Sequence, residues 1–394
     1  MLTEAAVAVD APPYDQIETH PGLSQMAELQ KLIWSAKRPV AILGGTRWDE
    51  QAVRRFTRFA ERFEMPVHCS FRRQMLFDHE HRCYGGDLGI GANPKLLARI
   101  RESDLVLVIG GRLSEMPSQS YTLFEIPAPR QRMVHVHPDA AELGRVYRPH
   151  LAINAAPDAF AAALEGLQPP DELPWAQDTA KAHEEYLAWS DPTQITHPGP
   201  LQMGQVVATL AKALPKDAIM ANGAGNYATW VHRFWKFTKF GTQLAPTSGS
   251  MGYGVPAAVG AKRAFPERTV VAFAGDGCFM MNGQEFATAV QYELPIVVII
   301  VDNGMYGTIR MHQEREYPGR VSATMLKNPD FAGYARAFGG FGARVERTEE
   351  FEGALQEAMA SGKPAILHLL IDPETITPTT TLKAVREKAM AAKA

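Results

Sequence analysis

The sequence has few cysteines and no long apolar run. Only three of the 394 residues are cysteine, and Cys69, Cys83 and Cys278 are far apart, which is typical neither of a disulfide framework nor of a structural zinc site. The first residues lack the apolar stretch of a signal peptide, and no window holds the roughly 18 apolar residues of a membrane span. The sequence therefore predicts a cytoplasmic protein that does not insert into a membrane.

Neither sign of charge is in large excess. The chain has 40 Lys and Arg residues against 43 Asp and Glu residues, which gives a formal net charge of −3. This balance does not indicate nucleic acid or an anionic membrane as a partner. The length is too great for one ordinary core and predicts two domains.

Apolar runs of strand length alternate with helical patterns along two stretches of the chain. The alternation predicts an α/β fold in which parallel sheets are covered on both faces. The expected architecture is therefore two doubly wound parallel-sheet domains. The expected segments are an arm or linker at 1–22, a central domain at 23–168, a linker at 169–198, a second domain at 199–374 and a C-terminal tail at 375–394.

A Gly-Asp-Gly motif follows a predicted strand of the second domain. The apolar run at residues 269–274 ends directly in Gly275, Asp276 and Gly277, and a helical pattern begins soon after. In open α/β sheets, ligands collect at the carboxyl ends of strands, where helix N-termini present free N–H groups. Asp276 supplies an ionised oxygen that suits Mg²⁺, which takes few protein ligands and completes its shell with phosphate oxygens and water.

The next predicted strand, residues 296–302, ends in a second polar loop that begins at Asn303. About 27 residues separate Asp276 from Asn303, which is enough for a helix and a return strand. Each motif alone is more often a plain turn. Their occurrence at matched positions of one strand-helix-strand unit instead predicts that both side chains point to one metal ion.

This pair of motifs resembles the thiamine diphosphate signature of the acetolactate synthase, benzoylformate decarboxylase and pyruvate oxidase group of enzymes. The resemblance implies that Asp276, Asn303 and the main-chain carbonyl of Met305 bind Mg²⁺, which bridges the two phosphates of the cofactor. It also implies that Tyr306 and Gly307 belong to the cofactor-binding loop.

A glycine-rich loop at residues 222–227 follows the first predicted strand of the second domain. In the resembled family, backbone N–H groups of such a loop hold the diphosphate. Read alone, the loop imitates the Gly-x-Gly-x-x-Ala of a dinucleotide site and leaves a nicotinamide oxidoreductase as a rival, although no acidic residue ends the following run at 242–246 to bind a ribose. Gly275 is implied to bind the cofactor, and the residues implied to contact its phosphates are Gly225, Asn226, Tyr227, Gly277 and Cys278.

The segment at residues 248–258 resembles the family's Gly-x-Met-Gly-x-Gly-x-Pro-Ala-Ala. By this resemblance Gly249 and Met251 also contact the cofactor. The apolar residue at the position of Met251 sits under the cofactor and bends its two rings towards each other, so that proximity assists the proton transfer. The alternative is that Met251 only fills the core.

The sequence departs from the family in three places. Full-length members begin with a further domain that binds the aminopyrimidine ring and supplies an activating glutamate. We expect no room for it here, so the chain is a split subunit, a fragment or a cofactor-binding protein without turnover. The acetohydroxyacid synthases have tryptophan where this chain has His312, which argues against strict synthase activity. Residues 111–115 keep only the arginine of their Arg-Phe-Asp-Asp-Arg flavin run, so FAD is not expected.

Arg310 and His312 are further candidates, because they could meet a substrate carboxylate or shuttle a proton, with a solvated helix start as the alternative. The Arg72–Arg73 pair and the other histidines are predicted to lie in loops or at the surface. The sequence as a whole predicts a thiamine diphosphate- and Mg²⁺-dependent lyase or transferase that decarboxylates or joins 2-keto acids. It would work as a homo-oligomer or with a subunit carrying the pyrimidine-binding domain. A non-catalytic cofactor-binding subunit is the alternative.

Overall fold

The computed structural model describes residues 17–393 together with Glu4, Ala6 and Tyr14. Most of the arm predicted at residues 1–22 therefore lies outside the described residues. The described part contains two six-stranded sheets in which every strand pair is parallel. The predicted fold class, two doubly wound parallel-sheet domains, is confirmed. Among these residues no helix combines the length and apolarity needed to span a bilayer.

The first sheet is the core of the central domain. Its strands are β1 (Pro39–Leu43), β2 (Val67–Ser70), β3 (Tyr84–Leu88), β4 (Leu105–Ile109), β5 (Arg132–His137) and β6 (Leu151–Asn154), in the order β3-β2-β1-β4-β5-β6. The helices that accompany it are α1 (Leu23–Trp34), α2 (Glu50–Phe63), α3 (Pro94–Glu102) and α4 (Pro157–Ala163). Every residue of β1 and β4 is buried, because helices cover both faces of the sheet.

The segment predicted as a linker at residues 169–198 contains a helix, α5 (Ala176–Trp189), which packs against β3. Its inner face carries Thr179, Ala182 and Tyr186, which recur at helical spacing and are buried. Arg99 of α3 binds both carboxylate oxygens of Asp178 at 3.0 Å. The structure therefore places much of this segment in the central domain, although its prolines suggested a connection only.

The second sheet is the core of the second domain and has the order β11-β12-β10-β9-β7-β8. Its strands are β7 (Ile219–Asn222), β8 (Gln243–Leu244), β9 (Val270–Gly275), β10 (Val297–Asp302), β11 (Phe341–Val345) and β12 (Ala365–Leu370). Its helices are α6 (Met203–Ala213), α7 (Ala228–Phe234), α8 (Gly254–Ala264), α9 (Asp276–Asn282), α10 (Glu285–Gln291), α11 (Gly307–Glu316), α12 (Phe331–Ala337) and α13 (Thr348–Ala360).

The segment predicted as a C-terminal tail at residues 375–394 is folded in its described part. It forms a short antiparallel hairpin, β13 (Thr375–Thr377) and β14 (Thr380–Thr381), and a helix, α14 (Leu382–Ala391). Ile376 and Leu382 are buried against Met305, and α14 packs along α11. This segment is therefore part of the second domain, because the apolar residues spaced among its polar ones, such as Ile376 and Leu382, pack against that domain.

Arg72 and several histidines are buried. They were predicted to lie in loops or at the surface: Arg72 and His79 do lie in turns, but the other buried histidines lie in strands. Arg72 is 3% exposed and stacks on Phe71, while Gln74 beside it is fully buried at the contact between the two domains. The Gln74 N–H donates to the side chain of Gln243 at 2.9 Å. The sequence patterns describe each domain separately and give no sign that the second domain covers Arg72 and Gln74 of the first. The buried histidines are His68, His79, His135, His137 and His368.

Candidate functional site

A cavity of about 250 Å³ lies at the carboxyl edge of the second sheet. The loops that form it follow β7, β9 and β10, because parallel strands bring their carboxyl ends to one edge. The three segments singled out in the sequence meet here. Every residue predicted to bind the cofactor lines the cavity: Gly225, Asn226, Tyr227, Gly249, Met251, Gly275, Asp276, Gly277, Cys278, Asn303, Met305, Tyr306 and Gly307.

Asp276 begins α9 and lies at the bottom of this edge with 3% of its surface exposed. One carboxylate oxygen accepts the Gly277 N–H at 2.8 Å, and the other accepts the amide of Asn328 at 2.8 Å. Burial, with a smaller contribution from the neighbouring Asp302 carboxylate, raises the pKa of Asp276 to about 7. A buried carboxylate of this kind favours a cation beside it, since a cation stabilises the ionised form.

Asp302 ends β10 and forms the second half of this acidic pair. Its carboxylate hydrogen-bonds to His368 at 2.9 Å and accepts the Gly304 N–H at 2.8 Å. Burial opposes ionisation of Asp302, but the hydrogen bonds from His368 and Gly304 outweigh it and lower its pKa. The Asn328 amide donates to Asp302 at 2.8 Å as well as to Asp276, so one side chain holds both carboxylates in place.

Asn328 and His368 were not found from the sequence. Neither lies in a motif: Asn328 is separated from the metal loop by α11 and an irregular segment, and His368 occupies the interior of a strand. Only the contact with Asp276 and Asp302 gives them a role. No local pattern in the sequence signals that contact.

The loop after β10 is held by a neighbouring stretch of chain. The Tyr306 N–H donates to the Thr324 carbonyl at 2.8 Å, and the Leu326 N–H donates to the Gly304 carbonyl at 2.8 Å. Met305 also forms an isolated antiparallel bridge with Met325. These contacts fix the main chain at Met305, the position whose carbonyl is predicted to bind the metal.

The glycine-rich loop after β7 is pinned to the other two loops by side chains. The Asn226 N–H donates to the Thr308 hydroxyl at 2.9 Å, and that hydroxyl donates to the Asn226 side chain at 3.0 Å. The Gly223 N–H donates to the Tyr227 hydroxyl at 3.0 Å, which lies 3.2 Å from the Cys278 sulfur. The loop is therefore rigid before any ligand arrives.

The glycines of the site allow close backbone approach. A Cβ built on Gly277 would lie 2.6 Å from the Tyr306 ring, and one on Gly275 would lie 2.8 Å from the Tyr227 ring. Contacts this short are not tolerated, so a larger residue at either position would displace a ring that lines the cavity. Met251 lines the same cavity and packs against the buried core of the domain.

Arg310 and His312 do not line the cavity, although both were candidates to contact substrate. Arg310 is 7% exposed and binds Glu314 at 3.0 Å, and Glu314 in turn binds Arg386 of α14. The charge of Arg310 is therefore already paired one helical turn away, so a contact between Arg310 and a substrate stays a prediction that this pairing does not favour. His312 is exposed and hydrogen-bonds to Arg315 at 3.1 Å.

The donor set around the cavity suits one kind of metal. Among the described residues no group of three or more His, Cys, Asp or Glu side chains is placed to hold an ion. Mg²⁺ does not need such a cage, because one carboxylate, an amide oxygen and a main-chain carbonyl leave positions for phosphate oxygens and water. Asp276, Asn303 and Met305 supply that combination on one wall of the cavity.

Two family models match the chain. The model described as the C-terminal TPP-binding domain of thiamine pyrophosphate enzymes matches residues 223–369. The model described as their central domain matches residues 26–164. The range 26–164 includes all six strands of the first sheet, and the range 223–369 includes most of the second sheet and most of the residues that line the cavity.

Curated relatives named acetolactate synthase align over most of the chain. The isozyme 2 large subunit of Escherichia coli K12 is 30% identical over 89% of this chain and 62% of its own length. The large subunit of Corynebacterium glutamicum is 31% identical over 92% of this chain and 59% of its own. The probable large subunit of Methanocaldococcus jannaschii is 30% identical over 94% and 63% respectively. The chain thus spans 59% to 63% of the length of these relatives.

Proposed function

This chain belongs to the thiamine pyrophosphate enzyme family, and we propose that it binds thiamine diphosphate with Mg²⁺ and supports the decarboxylation or carboligation of a 2-keto acid. The single observation that carries the proposal is the cavity at the edge of the second sheet. It collects three separate sequence motifs, and its lining includes every residue that resemblance assigned to the cofactor.

The residues of this cavity have separable roles in the proposal. Asp276, Asn303 and the Met305 carbonyl hold Mg²⁺, while the glycine-rich loop at Gly225 and the start of α9 at Gly277 border the space for the phosphates. Asn328 orients the Asp276 carboxylate, since its amide is fixed by a second bond to Asp302.

Bound thiamine diphosphate supplies an electron sink for the bond-breaking step. The chain's own contribution is to exclude water from the cavity and to position the cofactor. Met251 and Ile376 present apolar surface to the cavity, and buried apolar walls strengthen the polar contacts made inside it. The substrate is proposed as a 2-keto acid on the strength of the relatives' names, with His312 marking a difference from the strict synthases.

Calorimetry of the purified chain tests the cofactor site. We expect thiamine diphosphate to bind only with Mg²⁺ present, and Asp276→Ala to weaken binding about a hundredfold or more, because a desolvated charge contact is worth about 3 kcal/mol. Asp171→Ala, at an exposed aspartate outside the cavity, is the matched control. Binding of NADH without metal, or unchanged affinity in Asp276→Ala, would contradict the proposal.

A second measurement concerns the activating glutamate, which we propose comes from a pyrimidine-binding domain outside the two matched ranges. These 394 residues should release little CO₂ from pyruvate with thiamine diphosphate and Mg²⁺. Release should rise on mixing with a pyrimidine-binding domain of a relative. Fast release by these residues alone would refute the need for that domain, and no release in the mixture would favour cofactor binding without turnover.

A further inference from the structure

A smaller cavity, of about 60 Å³, lies between the two domains. The central domain contributes the end of β3 with Asp87, the loop to α3, and Trp189 at the end of α5. The second domain contributes Arg233 of α7 and the tip of the β13–β14 hairpin at residues 377–379. The proposed cofactor function leaves this cavity without a role.

Arg233 is the cation of this cavity, and its guanidinium is held in one orientation. Its carbon lies 3.6 Å from the centre of the Trp189 ring, and its Nε donates to the Trp189 carbonyl at 2.8 Å. Stacking on tryptophan stabilises a guanidinium without neutralising it. The plane of the group is therefore fixed while its two terminal nitrogens remain to be satisfied.

The charge of Arg233 has no counterion among the described residues. Its Nη1 is buried and has no hydrogen-bond partner in that part of the chain. Burial alone lowers the pKa of Arg233 to about 10, so the group stays positive at neutral pH. Arg233 as a whole is half-buried, and a charge that is partly withdrawn from water without a counterion favours an anion beside it.

Asp87 does not serve as that counterion. Its carboxylate accepts the Gln74 amide at 3.1 Å instead. Burial raises the pKa of Asp87 to about 7, so at neutral pH the carboxyl is partly protonated and repels an incoming anion less than an ordinary aspartate. Three other polar side chains of the lining, Asn93, Tyr186 and His232, already have partners within the chain. The hydroxyls of Thr377 and Thr379 at the hairpin tip also line the cavity, and hydroxyls donate readily to oxyanions.

We propose that this cavity is a binding site for a small oxyanion, one carboxylate or phosphate group, held by Arg233. The planar guanidinium matches either group with two parallel hydrogen bonds. The volume admits one such group or a few waters. The site does not depend on the proposed cofactor function, although the hairpin that closes it also lines the cofactor cavity through Thr375 and Ile376.

Tryptophan fluorescence provides the test, because Trp189 stacks directly on the Arg233 guanidinium that would bind the oxyanion. The whole chain, saturated with thiamine diphosphate and Mg²⁺ so that the other phosphate site is filled, is titrated at constant ionic strength with inorganic phosphate and separately with acetate. We expect a saturable change in the wild type that is at least about tenfold weaker in Arg233→Met, the loss expected for one charged contact. A tighter response to phosphate assigns a phosphate group, and a tighter response to acetate assigns a carboxylate.

Three variants keep the result decisive. Trp189→Phe should lose the fluorescence response but keep heat-detected binding, and Arg233→Lys should bind at intermediate strength because lysine lacks the planar fork. Arg268→Met is the matched control: Arg268 also stacks on a ring, Phe265, and donates to a main-chain carbonyl, but lines neither cavity. No saturable response in the wild type, or an equal response in Arg233→Met, overturns the proposal. If the chain does not bind thiamine diphosphate, the comparison of the wild type with Arg233→Met still assigns the response, because a phosphate bound in the larger cavity would respond equally in both.

Discussion

In each of the two sheets the order in which successive strands are added reverses at one point. This point lies between β1 and β4 in the first sheet and between β7 and β9 in the second. In the first, glycines close the crevice: a Cβ on Gly45 would lie 1.8 Å from the Gly110 carbonyl oxygen. In the second, Gly223 and Gly275 meet side chains, chiefly Tyr227, and an open cavity remains.

The difference shows that one topology serves two purposes. Strand order brings a crevice to the same place in both domains, but the residues after each strand decide whether backbone fills it or a ligand does. Only the second domain adds a carboxylate, Asp276, and a covering segment, β13 to α14. The function is therefore a property of loops on a shared framework.

Paired glycine substitutions should separate the two crevices most strongly. Gly45→Ala places a Cβ against backbone and requires a residue at φ +71°, so we expect about 3 kcal/mol or more of lost stability. Gly277→Ala meets side chains rather than backbone, the Tyr306 ring and the Leu326 side chain, and adds helix propensity. It should cost less than about 1 kcal/mol in stability but weaken thiamine diphosphate binding about tenfold.

Denaturant unfolding and calorimetry on both variants check this pair. The comparison fails if Gly45→Ala folds as stably as the wild type, since the backbone contact would then not close the first crevice. It also fails if Gly277→Ala binds the cofactor normally.

The covering segment is fastened by one buried carboxylate. Glu314 is 1% exposed in its side chain and binds Arg310 and Arg386. Burial alone would raise its pKa, but hydrogen bonds from Arg386, the Gly319 N–H and Arg310 lower the pKa of Glu314 from 4.5 to about 2. Because the folded-state pKa is depressed, this group stabilises the fold fully above pH 4.5 and ceases to do so as the pH falls towards 2.

Glu314→Gln should therefore lower the free energy of unfolding by about 3 kcal/mol at neutral pH and flatten its decline between pH 4.5 and 2. Urea unfolding across that range measures both effects. Glu387→Gln, on the exposed side of α14 with a partner at 3.7 Å, is the matched control and should change stability by less than about 0.5 kcal/mol. Identical pH profiles for Glu314→Gln and the wild type would show that α14 is not fastened in this way.

Sequence patterns predicted the interior of both sheets well. The apolar runs at residues 39–43 and 105–109 predict strands with the bounds of β1 and β4, because an unbroken apolar run of this length between turn residues is typical of a buried strand. The edge strand β11 was missed, since it is half exposed and its Gly342 interrupts the apolar pattern. Edge strands need less burial and so leave a weaker signal.

The candidate site divides along the same line. Asp276 and Asn303 could be placed together from strand ends, because parallel topology fixes where those ends meet. Asn328 and the pairing of Arg310 with Glu314 and Arg386 could not, because each depends on segments far apart in sequence. Contacts between side chains far apart in sequence leave no periodic pattern in the sequence from which they could be predicted.

The smallest change in thiamine diphosphate affinity is expected at His312. This substitution tests where the wall of the cavity in the second domain ends. His312 is exposed and outside the cavity lining, whereas Ile309, three residues earlier on α11, is part of that lining. His312→Ala should leave thiamine diphosphate affinity within about twofold of the wild type, the range usual for surface changes. Ile309→Ala should weaken it several-fold through lost apolar contact, on the order of 1 kcal/mol. Calorimetry on the two variants decides, and a loss at His312 as large as that at Ile309 would move the wall of the site one helical turn further along α11.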